Sequence, residues 1–284
     1  MAKRNEEELK LSYLTLRSPD NDLIPLLRSA SSDDLGILVE FILNASTSQL
    51  EIVPEFKLNN PRYSEKIYNG DHRLYCDEIS AEIQKFGGNT LANMLRGGQG
   101  VPYAEIVRDV ADHMGVNYNK SSSVEIIEGQ IQLKVLENAY EKMSDSERRE
   151  FLKEVGIDTV SGIPSALPVM LLQSAIKIGG FASYKIAVIV ANAIARALLG
   201  RGLSFAAGAT LTRTMSVLAG PIGWAITALW TVIDLAGPAY RVTVPTVLHI
   251  AYIRQKSIIE SCRNCNEVIP NSSTFCPSCG TKLK

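Results

Sequence analysis

Ser122-Ser-Val-Glu-Ile-Ile-Glu-Gly-Gln-Ile-Gln-Leu-Lys-Val-Leu-Glu-Asn-Ala-Tyr140 decides the class of fold. Val124, Ile127, Ile131, Leu136 and Tyr140 recur at intervals that return to one face of a 3.6-residue helix. Ser122 and Glu125 have the spacing of a capping box, in which each side chain satisfies a backbone N–H at the helix start. The same grammar repeats to either side. Ser31-Ser32-Asp33-Asp34 offers N-cap oxygens ahead of Leu35, Leu38, Phe41 and Ile42. Leu74, Ile79 and Ile83 predict a helix ending at Gly87-Gly88. Thr90 to Arg96 predicts a short helix behind the N-cap Asn89, and Pro102 starts another that buries Ile106, Val107 and Val110. A second box, Ser144 with Glu147, opens a short helix toward Val155. Pro54, Asn59-Asn60 and Pro61 mark an irregular connection. Strand-like alternation is nearly missing, so the fold class is all-α.

At 284 residues the chain is long enough to bury a substantial core. Its net charge of −1 is unevenly spread. Residues 1–154 carry 18 basic and 26 acidic side chains, residues 155–253 carry six and two, and residues 254–284 carry five and two. No stretch has the basic surface that dominates DNA binding, so a nucleic-acid partner is not expected. The opening Met1-Ala-Lys-Arg-Asn-Glu has no apolar segment of the kind a secretory signal needs, which predicts a cytoplasmic chain with reduced thiols.

Past Gly156 the composition shifts to Ala, Gly, Ile, Leu and Val. Three regions follow: an acidic helical domain (1–156), an apolar small-residue-rich helical region (157–258) and a C-terminal metal module (259–284). Ala187, Ala191 and Ala195, and again Ala219, Gly223 and Thr227, repeat every four residues, a spacing that lets helix backbones approach closely. Residues 214–233 hold no charged side chain. Twenty helical residues span about 30 Å, the thickness of a bilayer's hydrocarbon core. Gly220-Pro221-Ile222-Gly223 breaks that run, so a hydrophobic hairpin, 203–219 against 224–236, fits as well as one straight span. Lys177, Lys185, Arg196, Arg201 and Arg213 favour a buried bundle instead, since each would cost about 2.5–3.5 kcal/mol at a bilayer centre. Lys177, Lys185 and Arg196 form a narrow basic stripe along 166–199, which suits a membrane surface or an acidic partner.

The chain closes with Cys262-Arg-Asn-Cys265, ten residues, then Cys276-Pro-Ser-Cys279-Gly280. Two CxxC hooks at this spacing wrap four thiolates around one tetrahedral Zn²⁺. Pro277 stiffens the second hook, and Gly280 lets N–H groups turn toward sulfur. Cys262, Cys265, Cys276 and Cys279 are therefore the expected first shell of one structural zinc. The string resembles the short zinc ribbon that ends many bacterial proteins. Cys76 reads as a small core hydrophobe, and His72, four residues earlier, has no third partner for a metal.

No catalytic constellation is legible. His72, His113 and His249 stand outside any HExxH or serine-elbow pattern, and Gly97-Gly-Gln-Gly100 lacks the Lys-Ser/Thr of a phosphate loop. The acid pairs Asp77/Glu78 and Asp109/Asp112 read as solvated helix faces, and Arg96 and Arg108 as salt-bridge or partner residues. Pro245 is placed to start the last helix, with Tyr240 and Arg241 anchoring a hairpin just before it.

Two blocks resemble the bacterial YaaW family. One is Ile83-Gln-Lys-Phe-Gly-Gly-Asn-Thr-Leu-Ala-Asn-Met-Leu-Arg96-Gly97-Gly98, continuing through Val101-Pro-Tyr-Ala-Glu-Ile-Val-Arg-Asp-Val110. The other is Ala239-Tyr-Arg-Val-Thr-Val-Pro-Thr-Val-Leu-His-Ile250. The resemblance spans about residues 10–258 and makes the ribbon an added module. It implies distant grouping with ubiquinol–cytochrome c chaperones, helical assembly factors at a membrane, and carries over no catalytic residue. Two functions are thus expected. One is a non-enzymatic membrane-associating protein at the inner face of the cytoplasmic membrane, with lipid as partner. The other is a soluble adaptor or assembly factor with a protein partner. Either is compatible with homo-oligomers.

Overall fold

The computed structural model describes residues 20–47, 71–87, 100–154, 181–203, 239–265 and 267–284. Among them run α1 (Ile24–Ser29), α2 (Ser32–Thr47), a 3₁₀ turn (His72–Tyr75), α3 (Cys76–Gly87), α4 (Tyr103–His113), α5 (Val124–Lys142) and α6 (Asp145–Glu154). After these come α7 (Phe181–Leu199), α8 (Tyr240–Ser257) and a two-stranded antiparallel sheet, β1 (Ile259–Ser261) with β2 (Val268–Pro270). The fold is mostly helical, as the periodicity requires. Outside the described residues lie the Pro54/Pro61 connection, the Thr90–Arg96 helix with Arg96, Lys177, the uncharged run 214–233 and the hairpin around Gly220-Pro221-Ile222-Gly223.

Helix starts follow local chemistry unevenly. At α2 the Asp34 N–H donates to the Ser31 hydroxyl (3.2 Å), and that hydroxyl donates to the Asp34 carboxylate (2.5 Å). The Ser144/Glu147 box also forms. The Ser144 N–H reaches the Glu147 carboxylate at 2.7 Å, and the Glu147 N–H reaches the Ser144 hydroxyl at 3.4 Å. The Ser122/Glu125 box does not. Ser123 occupies the N-cap without a side-chain cap bond, and Glu125 faces Arg254 at 3.5 Å instead. The buried face expected for this helix holds, with Val124, Ile127, Ile131, Leu136 and Tyr140 all in the core.

Two further expectations are corrected. Leu74 is 74% exposed because it sits in the 3₁₀ turn, and the buried face of α3 begins at Cys76, Ile79 and Ile83. Pro245 does not open the last helix but lies inside α8. Proline there withholds one N–H from the ladder. Burial of every residue from Val242 to Ile253 holds the helix together across it.

One hydrophobic core runs from Leu23 through Leu152 and takes in Tyr184–Ile194 and Val242–Ile253. The compositional shift near residue 156 is therefore not a boundary of packing among the described residues. Helix α7 packs chiefly on α8 and touches α2 and α5. It is buried from Ser183 to Ala195 except at half-buried Lys185, with Arg196 exposed beyond. Ala187, Ala191 and Ala195 are interior. The described part of the basic stripe thus lies on a core helix rather than along a half-solvated one. Gly200 ends α7 at φ +68°, a left-handed position that glycine adopts without a Cβ penalty. No described helix is long and apolar enough to cross a membrane.

Candidate metal centre

Helix α8 delivers the chain into β1, and the sheet presents the first knuckle between its strands. The Cys262 N–H donates to the Glu267 carbonyl at 2.8 Å and closes the Cys262–Cys265 turn. The second knuckle is closed by the Cys276 N–H on the Thr281 carbonyl and the Gly280 N–H on the Cys276 carbonyl, both 2.9 Å. Gly280 holds φ +72°, so the tight turn after Cys279 needs glycine. An isolated bridge, Phe275 to Lys282, completes this second loop.

All four sulfurs lie within 4.8 Å of one another, Cys262 and Cys276 buried, Cys265 and Cys279 exposed. Cys262 Sγ is 3.6 Å from Cys279 Sγ, and Cys265 Sγ is 3.6 Å from Cys276 Sγ. A disulfide would bring two sulfurs to about 2 Å. Four sulfurs on a tetrahedral ion at about 2.3 Å would stand about 3.8 Å apart. The donor set fits zinc.

Electrostatics agree with the geometry. The Thr281 hydroxyl, 3.1 Å away, and the Thr281 N–H hold the Cys279 thiol down to about 5. N–H groups of Cys265 and Asn264 lower Cys262 in the same way. Cys265 accepts the Glu267 N–H, yet its contacts with the surrounding thiols, Cys279 foremost, push it up to about 12. Four sulfurs this close cannot all ionise against one another, and a divalent cation among them removes that repulsion. When bound, such an ion cross-links the two hooks and leaves no open position for substrate.

The other sequence-flagged residues do not gather into a site. Cys76 is buried, its thiol donating to the Arg73 carbonyl at 3.2 Å, and burial pushes it up to about 11. His72 Nδ1 bonds the Tyr75 hydroxyl at 2.8 Å. Tyr240 stacks on His113 with ring centroids 4.0 Å apart and donates to Asp109 at 3.2 Å, so it anchors α8 to α4. Asp77 pairs with Arg28 at 2.9 Å on the surface, and Arg108 donates to the Ala104 carbonyl. Among the described residues the four cysteines are the sole grouping of three or more candidate ligands.

Two buried polar clusters escaped the sequence reading. Glu128, 2% exposed, accepts from Arg254 Nε and from the Tyr103 hydroxyl, both at 2.8 Å. Asp20 accepts the Tyr103 N–H at 2.7 Å and the Gln84 amide at 2.9 Å. In the second cluster Lys256 donates to the Asp34 carboxylate at 2.7 Å, and the His249 Nε2–H donates to the Asp34 carbonyl at 3.0 Å. One signal was available: Glu128 falls on the same helical face as Val124, Ile127 and Ile131, where a charge demands a buried partner.

A C-terminal CxxC–CxxC module on a helical body is the class that this fold and this site define. A zinc-ribbon domain family matches residues 261–283. Over 231 residues the chain is 40% identical to a UPF0174 protein of Helicobacter pylori strain J99, covering 91% of that protein and 77% of this chain. A second UPF0174 protein of the same strain is 42% identical over 193 residues, 92% of its length and 66% of this chain. The UPF0174 protein YaaW of Escherichia coli K12 is 29% identical over 249 residues, 97% of its length and 87% of this chain. The chain belongs to the UPF0174 family. No solved structure matches it.

Proposed function

We propose that this chain is a non-enzymatic helical adaptor or assembly factor. Its apolar helices form its own core, and its structural zinc ribbon is displayed at one end for a protein partner. The observation that carries this reading is the burial of α7 and α8 in one core with the acidic helices. A helix whose apolar face is already covered by its own protein has little left to offer lipid. Four cysteines around one tetrahedral ion would fill its coordination shell, which supports a structural role for the ribbon. A cytoplasmic location follows from this reading.

A second reading rests on a sequence observation. The uncharged run 214–233 has the length of a membrane span, and it would insert as a hairpin at the inner face of the cytoplasmic membrane. Fractionation at native expression, with carbonate and then detergent extraction, separates the two. The adaptor reading predicts recovery in the soluble fraction. A carbonate-resistant, detergent-released pool would overturn it in favour of the inserted hairpin.

A further inference from the structure

The ribbon is not an independent appendage. Side chains alternate across β2, and its two faces meet different partners. Ile269 turns inward to Cys262 and Cys276, and with Leu283 at their edge these form the ribbon's core among the described residues. Val268, with Ile259 from β1, packs instead against the core of the helical body, and β2 touches α7. The turn after β2 also closes the end of α8. Asn271 donates its backbone N–H to the Ile258 carbonyl at 2.9 Å and its side-chain amide to the Ser257 carbonyl at 3.3 Å. Helix ends leave such carbonyls without partners, and here the ribbon supplies them. Just upstream, Arg254 and Lys256 make the ion pairs to Glu128 and Asp34 that fix α8 to α5 and α2.

We infer that the ribbon is a metal-dependent clasp on the helical body: zinc held by Cys262, Cys265, Cys276 and Cys279 keeps β2 and Asn271 seated on α7 and the end of α8. Two sulfurs and one isoleucine cannot organise a sheet without the ion, because metal binding is the folding free energy of so small a module. Zinc loss therefore unseats Val268 and Ile259, releases the α8 carbonyls and uncovers apolar surface on the body. Zinc supply then regulates which surface an adaptor presents. The inference rests on the reading of the site as a zinc centre.

Amide hydrogen exchange on the full chain, zinc-loaded and then stripped with a chelator under reducing conditions, tests it beside elemental analysis. The expected result is about one zinc per chain and, on stripping, exchange at least about tenfold faster in 250–258 and in the α7 peptides as well as in 259–284, reversed by added zinc. A double variant, Val268→Ser with Asn271→Ala, keeps all four cysteines. It is expected to retain zinc and still show the faster exchange in the body. One zinc per chain with changes confined to 259–284, or a silent double variant, would overturn the clasp and leave the zinc centre standing. Absence of zinc from protein purified without chelator would overturn both.

Discussion

His249 is the residue whose chemistry is most sensitive to its surroundings. Its ring is buried between Phe41 and Tyr252, and its Nε2–H is committed to the Asp34 carbonyl. Nδ1 is buried with no hydrogen-bond partner among the described residues. Burial pushes the imidazole down to about 4, with Lys256 adding to the effect and the Asp34 charge opposing it. A free histidine titrates near 6.5, so the unfolded chain takes up a proton first as pH falls. The stability that neutral His249 provides is complete above about 6.5 and is lost as pH drops toward about 4, amounting to roughly 2–4 kcal/mol. His249→Gln keeps a donor for the Asp34 carbonyl but has no proton to gain. Urea unfolding of the two proteins between pH 4 and 7 is expected to show the wild type losing its advantage over the variant as pH falls. A difference constant with pH would mean that the imidazole is not held neutral by burial.

At the scale of elements, the two capping boxes give a controlled comparison. Both have the Ser-x-x-Glu spacing, yet Ser144/Glu147 closes and Ser122/Glu125 does not. Ser144→Ala is expected to lower stability by about 1 kcal/mol, the usual worth of a cap, whereas Ser122→Ala should lie within about 0.5 kcal/mol of wild type. Thermal or denaturant melts of the two variants read this directly, and equal effects would refute the assignment. Why the Ser122/Glu125 box stays open was not legible from local sequence. Glu125 is drawn to Arg254, which lies far along the chain on α8. Pro245 was misread for a related reason: local rules put proline at a helix start, but a segment buried on all sides keeps its helix around one missing N–H. Where contacts are local the sequence sufficed, as with the faces of α2, α4 and α5 and the cysteine spacing that the ribbon folds into one cluster. Leu74 shows the opposite failure, since three apolar residues at helical spacing say nothing of a 3₁₀ turn that swings the first of them outward.

For the whole molecule, composition divides the chain near residue 156, yet among the described residues α7 and α8 pack into one core with the acidic helices. Small residues at four-residue spacing allow close helix approach both in lipid and in a protein interior, so the repeat itself could not choose. In the structure Ala187 and Ala191 lie inside the core that joins α7 and α8 to the acidic helices, and Ala195 is buried on the same helix. Ion pairs of Arg254 with Glu128 and of Lys256 with Asp34 tie α8 to α5 and α2 from positions that no local pattern connects. The most direct test of this account is the stability of Ala191→Arg in detergent-free buffer. Ala191 is 1% exposed, so the substitution overpacks the core and buries an unpaired cation, at a cost of at least about 3 kcal/mol. The account predicts a single cooperative unfolding transition shifted to much lower denaturant, or failure to fold, across the signals of both the acidic helices and α7. An unchanged midpoint would contradict it and remove α7 from the core.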